Sequence, residues 1–273
     1  MTVTAPRRGG PPRRWPGRAI GCVDQIYRYP VKSMAGTRLT EARLGWHGLD
    51  GDRRFAFRRR AVRGGRPWLT ASRLPELILY RPCDGEGADA DAAPTHVRTP
   101  DGRVLDLWGR ELADEIGQRF EGGVELLQLG AGIFDEAPVS ILARATVAML
   151  EVESGRSLDL RRFRPNVVLA SAEGRAFEED AWVGRSLRFG AEREAATVAI
   201  TLRDLRCVMI NLDPDTAAAD ASVQKTAVRL NDNYAGVYGT VLSPGTIGVG
   251  QEVFLVEDAG PDRTSPPRPG GTA

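Results

Sequence analysis

The chain has 273 residues, 42% hydrophobic and 27% charged, proportions of a folded globular protein with one large domain or two small ones. Lys and Arg total 37 against 36 Asp and Glu, a net charge of +1, which offers no basic field to a nucleic-acid partner. No run of about 18 apolar residues is present to cross a membrane, and three cysteines exclude a disulfide scaffold and a four-cysteine iron–sulfur cluster while fitting a reducing, cytoplasmic compartment.

Residues 1–18 carry five Arg, several Pro and Gly and no acid, the composition of a disordered basic arm. Val23, Gln25, Tyr27 and Tyr29 then alternate in a strand-like run ending at Pro30. Arg38–Leu44 reads as a second strand. Phe55–Arg59 reads as a third, followed by the Gly64-Gly65 turn and a return through Trp68-Leu69-Thr70. Asp84–Pro94 is a polar loop, and His96–Leu107 is a hairpin around Asp101-Gly102. Ala143, Val147, Leu150 and Ser154 share one helical face that Gly155 ends. Asn166–Ala170, Ser186–Phe189 and Val198–Leu202 are expected strands, Ala217–Leu230 a helix, and Tyr234–Val256 a hairpin around Pro244-Gly245. Many short strands with two or three helices predict a mostly β protein of the α+β kind, with a barrel-like core and a few flanking helices. The expected division is 1–18 arm, 19–130 N-terminal β region, 131–257 second domain and 258–273 disordered tail.

The scarce residues narrow the chemistry. His47 and His96 are the two histidines, so a multi-histidine zinc site would need both, and no G-x-S-x-G elbow accompanies a serine triad. No G-x-G-x-x-G or Walker loop is present. Lys32 and Lys225 are the two lysines, which leaves a pyridoxal-phosphate Schiff base few candidates and makes that cofactor unlikely. Cys207 follows an apolar strand with Arg203 and Arg206 before it, cations that favour a thiolate able to ligate metal or attack. It could equally be a small buried hydrophobe. Cys22 and Cys83 read as structural.

Four segments stand out: Tyr29-Pro30-Val31-Lys32-Ser33, Asp52-Arg53-Arg54-Phe55, Phe163-Arg164-Pro165-Asn166, and Arg206-Cys207 followed by Asp213-Pro214-Asp215-Thr216. Each alone has an ordinary reading: a solvated Lys at a strand end, a surface ion pair, a turn entering a strand. In this order, with Gly245-Thr246-Ile247-Gly248 after them, they resemble the MOSC family, named for the C-terminal domain of molybdenum-cofactor sulfurase, and especially its mitochondrial and bacterial amidoxime-reducing members. The resemblance spans about residues 22–256.

The resemblance implies a β-rich fold with an N-terminal β-barrel region and a MOSC domain, binding molybdenum cofactor. It puts the metal-ligating, catalytic cysteine at Cys207 and the pterin and phosphate contacts at Lys32, Ser33, Arg53, Arg164, Asn166 and Arg206. Thiolate is a soft ligand suited to such a metal, and Arg and Lys suit phosphate. The activity implied is reduction of N-hydroxylated small molecules by electrons from a separate reductase or ferredoxin-like protein. The alternative is a cofactor carrier or sulfur-transfer module without turnover, with a persulfide on Cys207. Leu205 stands where the amidoxime reducers carry Ser, and Ile210-Asn211 where they carry Thr-Thr.

Overall fold

A computed structural model describes residues 17–84, 93–132, 135–192 and 194–256. In chain order its elements are strands β1 (Arg18–Arg28), β2 (Thr37–Leu39), β3 (Glu41–Gly45), β4 (Gly48–Leu49), β5 (Phe55–Arg59), β6 (Arg81–Cys83), β7 (His96–Arg98) and β8 (Val104–Asp106), then helix α1 (Arg110–Phe120). Strands β9 (Val124–Gln128) and β10 (Val139–Ala143), helix α2 (Arg144–Ser154), and strands β11 (Val167–Ser171), β12 (Ser186–Phe189) and β13 (Thr197–Leu205) follow. Helix α3 (Ser222–Asn231) precedes β14 (Tyr234–Ser243), β15 (Gly245–Gly248) and β16 (Glu252–Val256).

Seven strands close into a barrel in the order β1-β11-β10-β14-β13-β12-β16, because β1 bonds both β11 and β16. Closure removes sheet edges, and β1 manages it by bending. Its register shifts at Ala19/Gly21 against β16 and at Val23/Gln25 against β11, as bulges do where a sheet must curve. Gly21 sits at φ 149°, and a Cβ there would fall 2.1 Å from the Ala170 carbonyl oxygen, so the close approach of β11 requires glycine. Alternate residues fill the barrel: Val23, Ile141, Leu169, Leu187, Phe189, Val198, Val237 and Val253 are buried together.

The remaining elements pack outside. The β5–β9 pair, the three-stranded β6-β7-β8 sheet and α1 enclose Phe55, Phe57, Leu77, Tyr80, Leu112 and Ile116. Helices α2 and α3 meet over Val147, Leu150, Val223 and Ala227. Since β1 closes a barrel otherwise built from β10 onward, that barrel lies across the expected boundary at residue 130.

Several details differ from the sequence reading. Strand β1 begins at Arg18, inside the expected arm, where Arg18 pairs with Leu255; residues 1–16, 257–273 and most of the Asp84–Pro94 loop lie outside the described residues. The Arg38–Leu44 run breaks at Thr40, β2 pairing with β1 and β3 with β15. Residues 234–256 do not form a hairpin. Pro244 lacks an N–H to continue a ladder, and the chain leaves the barrel there for β3 before returning as β16. The helix expected over 217–230 starts at Ser222, because Asp213 Oδ1 accepts from the Asp215 and Thr216 amides and holds the preceding turn. Asp220 then accepts from the Ser222 amide. Helix α1 and β9 were not foreseen.

Candidate functional site

The YPVKS segment leaves the barrel at the end of β1. The Lys32 amide bonds the Phe55 carbonyl at 2.8 Å, laying Lys32 and Ser33 beside the start of β5. Asp52 is fully buried there. One of its oxygens accepts from the Tyr29 amide at 2.7 Å and the other from Arg53 Nη1. The ordinary alternative for this segment, a surface ion pair of little value, does not hold: with Asp52 buried the pair is a fixed strut. Arg53 also donates from Nη2 to the Arg164 carbonyl at 3.0 Å and from Nη1 to Asn166 Oδ1 at 3.2 Å. Arg164 follows a 3-10 turn, Leu160–Phe163, started by Asp159 accepting from the Arg161 amide. The guanidinium carbons of Arg164 and Arg53 lie 4.3 and 5.0 Å from the centre of the Tyr29 ring, cation–π geometry.

Three of these residues hold backbones that L-residues rarely adopt: Ser33 at φ 67°, Arg53 at 48° and Arg164 at 51°. Such conformations persist only where the surroundings fix them, and they collect at functional sites. Here the buried Asp52, the Asn166 amide and the Arg164 carbonyl supply the fixing.

The opposite wall is the end of β13 and the residues after it. Arg206 donates from Nε to the Ala235 carbonyl at 2.6 Å and from Nη1 to the Phe163 carbonyl at 2.9 Å, with Asp204 Oδ2 at 2.8 Å. Asp204 in turn accepts from Ser140 Oγ at 3.2 Å. The Arg206 carbonyl accepts from Asn233 Nδ2 and Gln224 Nε2, so the backbone presenting Cys207 is held from α3 and its loop. Cys207 is exposed. Between the walls lies a cavity of about 930 Å³ lined by Lys32, Ser33, Arg53, Arg164, Arg206 and Cys207 among others. A second recess, of about 40 Å³ and also lined by Tyr29 and Arg164, has room for no more than a few waters.

A MOSC domain model matches residues 118–254, and a model of the MOSC N-terminal beta barrel domain matches residues 20–104. This chain belongs to the MOSC domain family. It is 27% identical to mitochondrial amidoxime reducing component 2 of Bos taurus over 91% of this chain and 87% of that protein. It is 26% identical to mitochondrial amidoxime-reducing component 1 of Homo sapiens over 89% and 87%. Among solved structures it is similar to the YUAD protein from Bacillus subtilis at a TM-score of 0.46 and 13% identity, over 86% of this chain and 95% of that one.

Six of the seven residues singled out in this MOSC chain line the cavity. The seventh, Asn166, does not. It is fully buried, its Oδ1 accepting from the Ser140 amide and Arg53 and its Nδ2 donating to the Tyr27 carbonyl, so its amide is committed to the frame and cannot offer its edge to a ligand. Trp68 and Thr70, from the return after the Gly64-Gly65 turn, line the cavity too. Asp135, Asp204 and Tyr238 were missed as lining residues; for Asp204 the available signal was its place two residues before Arg206 on one strand face. Cys22 and Cys83 lie in β1 and β6, outside the lining. Among the described residues no three His, Cys, Asp or Glu cluster to hold a metal ion, and no helix is long and apolar enough to cross a membrane.

The cavity is electropositive at depth. Burial pushes the Arg164 guanidinium down to about 10, with the like charge of Arg53 adding to the fall and Tyr29 opposing it. Burial likewise lowers Lys32 against the pull of Asp135, whose carboxylate lies 2.7 Å from Nζ. Burial would raise Asp135, but Lys32, Arg53 and Arg164 together hold it below the usual carboxylate range. Arg164 Nη2 and Arg206 Nη2 are buried and have no hydrogen-bond partner. Unpaired buried donors on cations are costly.

Proposed function

We propose that this protein binds a molybdenum cofactor in the cavity and reduces N-hydroxylated small molecules, with electrons from a separate reductase or ferredoxin-like protein. The observation that carries this reading is the joining, in one cavity, of an exposed thiol at Cys207 to buried cations with unpartnered guanidinium nitrogens at Arg164 and Arg206. The residues fit the group: Cys207 is a soft donor suited to molybdenum, and Lys32, Ser33, Arg53 and Arg164 suit a terminal phosphate. When bound, the cofactor supplies a two-electron redox centre. The amidoxime-reducing relatives support the substrate class, and the MOSC family supports the cofactor.

The chain's own residues do the positioning. Arg53, held by Asp52 and by the Arg164 carbonyl, fixes where an anionic tail can sit, and Cys207 offers its thiol on the same lining. In the overall reaction the N–O bond of an amidoxime breaks, two electrons and two protons are taken up, and the amidine and one water are released. Asp204, pushed up to about 6 by burial against the opposing charge of Arg206, is a buried carboxyl on the cavity wall able to hold a proton near neutrality.

The test is molybdenum and pterin content per chain on protein expressed with molybdate, followed by turnover of benzamidoxime with reduced viologen as donor. About one molybdenum per chain with amidine formation is the expected result. Stoichiometric molybdenum without turnover supports the carrier reading instead, and absence of molybdenum overturns both.

A further inference from the structure

Beyond the buried cations, the cavity carries a second set of positive charges on its outer wall. Arg59, Arg66 and Arg73 all line it. The two sets differ in exposure: the Arg206 side chain is 6% exposed and that of Arg66 85%, while Arg73 is also exposed. They differ in partners too. Arg66 has a carboxylate at 3.9 Å, Glu136, a contact at the edge of ion pairing and worth little at the surface. Arg59 gives its donors to the carbonyls of Arg66 at 2.8 Å and Pro67 at 3.3 Å, with no carboxylate among the described residues. It therefore holds the backbone that presents Arg66. Arg73 follows a turn in which its amide bonds the Thr70 carbonyl at 2.9 Å, and no partner is described for its guanidinium. The acids in the described lining are Asp135, which pairs with Lys32, Asp204, which pairs with Arg206, and Glu136, which lies nearest Arg66.

Apolar groups share this region. Trp68, Val183 and Leu205 line the same cavity, and Leu205 is 60% exposed although it neighbours a buried arginine. Exposed apolar surface at a cavity mouth marks a place where a ligand is to be covered.

We infer that the substrates of this protein are N-hydroxylated compounds with an apolar body and a carboxylate or similar anionic group, the body lying against Trp68, Val183 and Leu205 and the anion meeting Arg66 and Arg73. This rests on the proposed reductase activity and narrows it. The inner cations serve the anionic tail of the cofactor, which leaves the outer arginines unassigned. A protein donor of acidic surface is the competing use of these arginines, and a small-molecule donor removes it from the assay.

The experiment compares 4-carboxybenzamidoxime with benzamidoxime on the holoprotein. Calorimetry on the oxidised protein, which does not turn over, gives both affinities. Steady-state assays with reduced viologen give both kcat/KM values. The anionic compound is expected to bind roughly three- to tenfold more tightly, the gain of one or two exposed charge contacts, and to show the same advantage in kcat/KM through KM. In Arg66→Gln/Arg73→Gln the ratio between the two compounds falls to near one. In Arg110→Gln, an exposed arginine outside the lining, the ratio persists. Salt raised toward 0.5 M compresses it, because a Debye length of only a few ångströms (roughly 4 Å) screens exposed charges. Equal affinities in the wild type, or a preference that survives the double substitution, overturns the inference. A binding preference without turnover of either compound overturns the reductase reading while leaving the anion-selective wall standing.

Discussion

Replacing Arg164 with Met is expected to stabilise the ligand-free protein and to weaken binding of the cofactor proposed above. The guanidinium is held against Tyr29 and beside Arg53 with one nitrogen unpartnered, and burial takes it down to about 10. A fall of that size corresponds to roughly 3 kcal/mol against the charged form. Water in the cavity screens part of this, and Met gives up a desolvated cation–π contact of about 2 kcal/mol. The net gain expected is at most about 1 kcal/mol, or roughly 2–4 °C in melting temperature for a chain of this size. The sign follows from proton counting. The folded protein holds Arg164 less tightly protonated than the unfolded chain, so the cost is complete at neutral pH and is relieved only as pH rises through about 10. The assay is thermal unfolding of protein from a host unable to make the cofactor, in buffer free of phosphate and sulfate. Added phosphate then stabilises the wild type by mass action and the variant much less. A variant that melts below the wild type, or gains as much from phosphate, refutes the reasoning.

Cys207→Ser should melt within about 2 °C of the wild type, since the side chain is exposed and surface changes are small, but should lose reductase activity because a hydroxyl is a harder, less acidic ligand; Cys22→Ser and Cys83→Ser should keep activity. Full turnover by the Cys207 variant removes it from the ligand role. Asn166→Ala should cost about 1–3 kcal/mol in urea unfolding, since it strands buried partners such as the Ser140 amide, and a change under 0.5 kcal/mol contradicts the framing role. Glu179, fully buried and bonded to Thr146 Oγ1 at 2.9 Å and the Ala143 amide, is pushed up to about 7 by burial, which outweighs those bonds. The native state therefore keeps a proton that the unfolded chain releases, and stability falls as pH rises from about 4.5 to 7. Glu179→Gln should remove its share of that slope across pH 4.5–7, leaving only the contribution of Asp204 below about pH 6; an unchanged pH profile of the melting temperature speaks against it.

Some strands were legible although their burial does not alternate. Phe55–Arg59 and Ser186–Phe189 coincide with observed strands, and Gly155 ends α2 in a left-handed conformation at φ 64°, the function glycine serves at helix ends. Helix α1 escaped because Leu112 and Ile116 are its fully buried apolar residues, with Glu115 between them and Gly117 inside, too thin a stripe to detect. Strand pairing was not legible after Pro244, since local composition signals a turn but not which partner the chain meets next. At the site, the family resemblance rather than residue type named the residues that line the cavity, and only packing separated its lining from its frame. Asn166 carries the chemistry of a ligand contact, yet every one of its polar atoms is claimed by the protein.

That framing explains why the site needs both halves of the chain. Lys32 and Arg53 follow β1, while Arg164, Arg206 and Cys207 come from segments beyond β10. Three contacts tie these groups: Arg53 Nη2 to the Arg164 carbonyl, Arg53 Nη1 to Asn166 Oδ1, and Asn166 Nδ2 to the Tyr27 carbonyl. Each spans more than a hundred residues, and each depends on β1 lying beside β11. The closed barrel thus brings the cation cluster together: Arg53 and Arg164, separate solvated charges in an unfolded chain, crowd around one tyrosine ring in the fold. The energy of packing β1 against β11 and β16 offsets that crowding, and the anionic cofactor proposed above would relieve it.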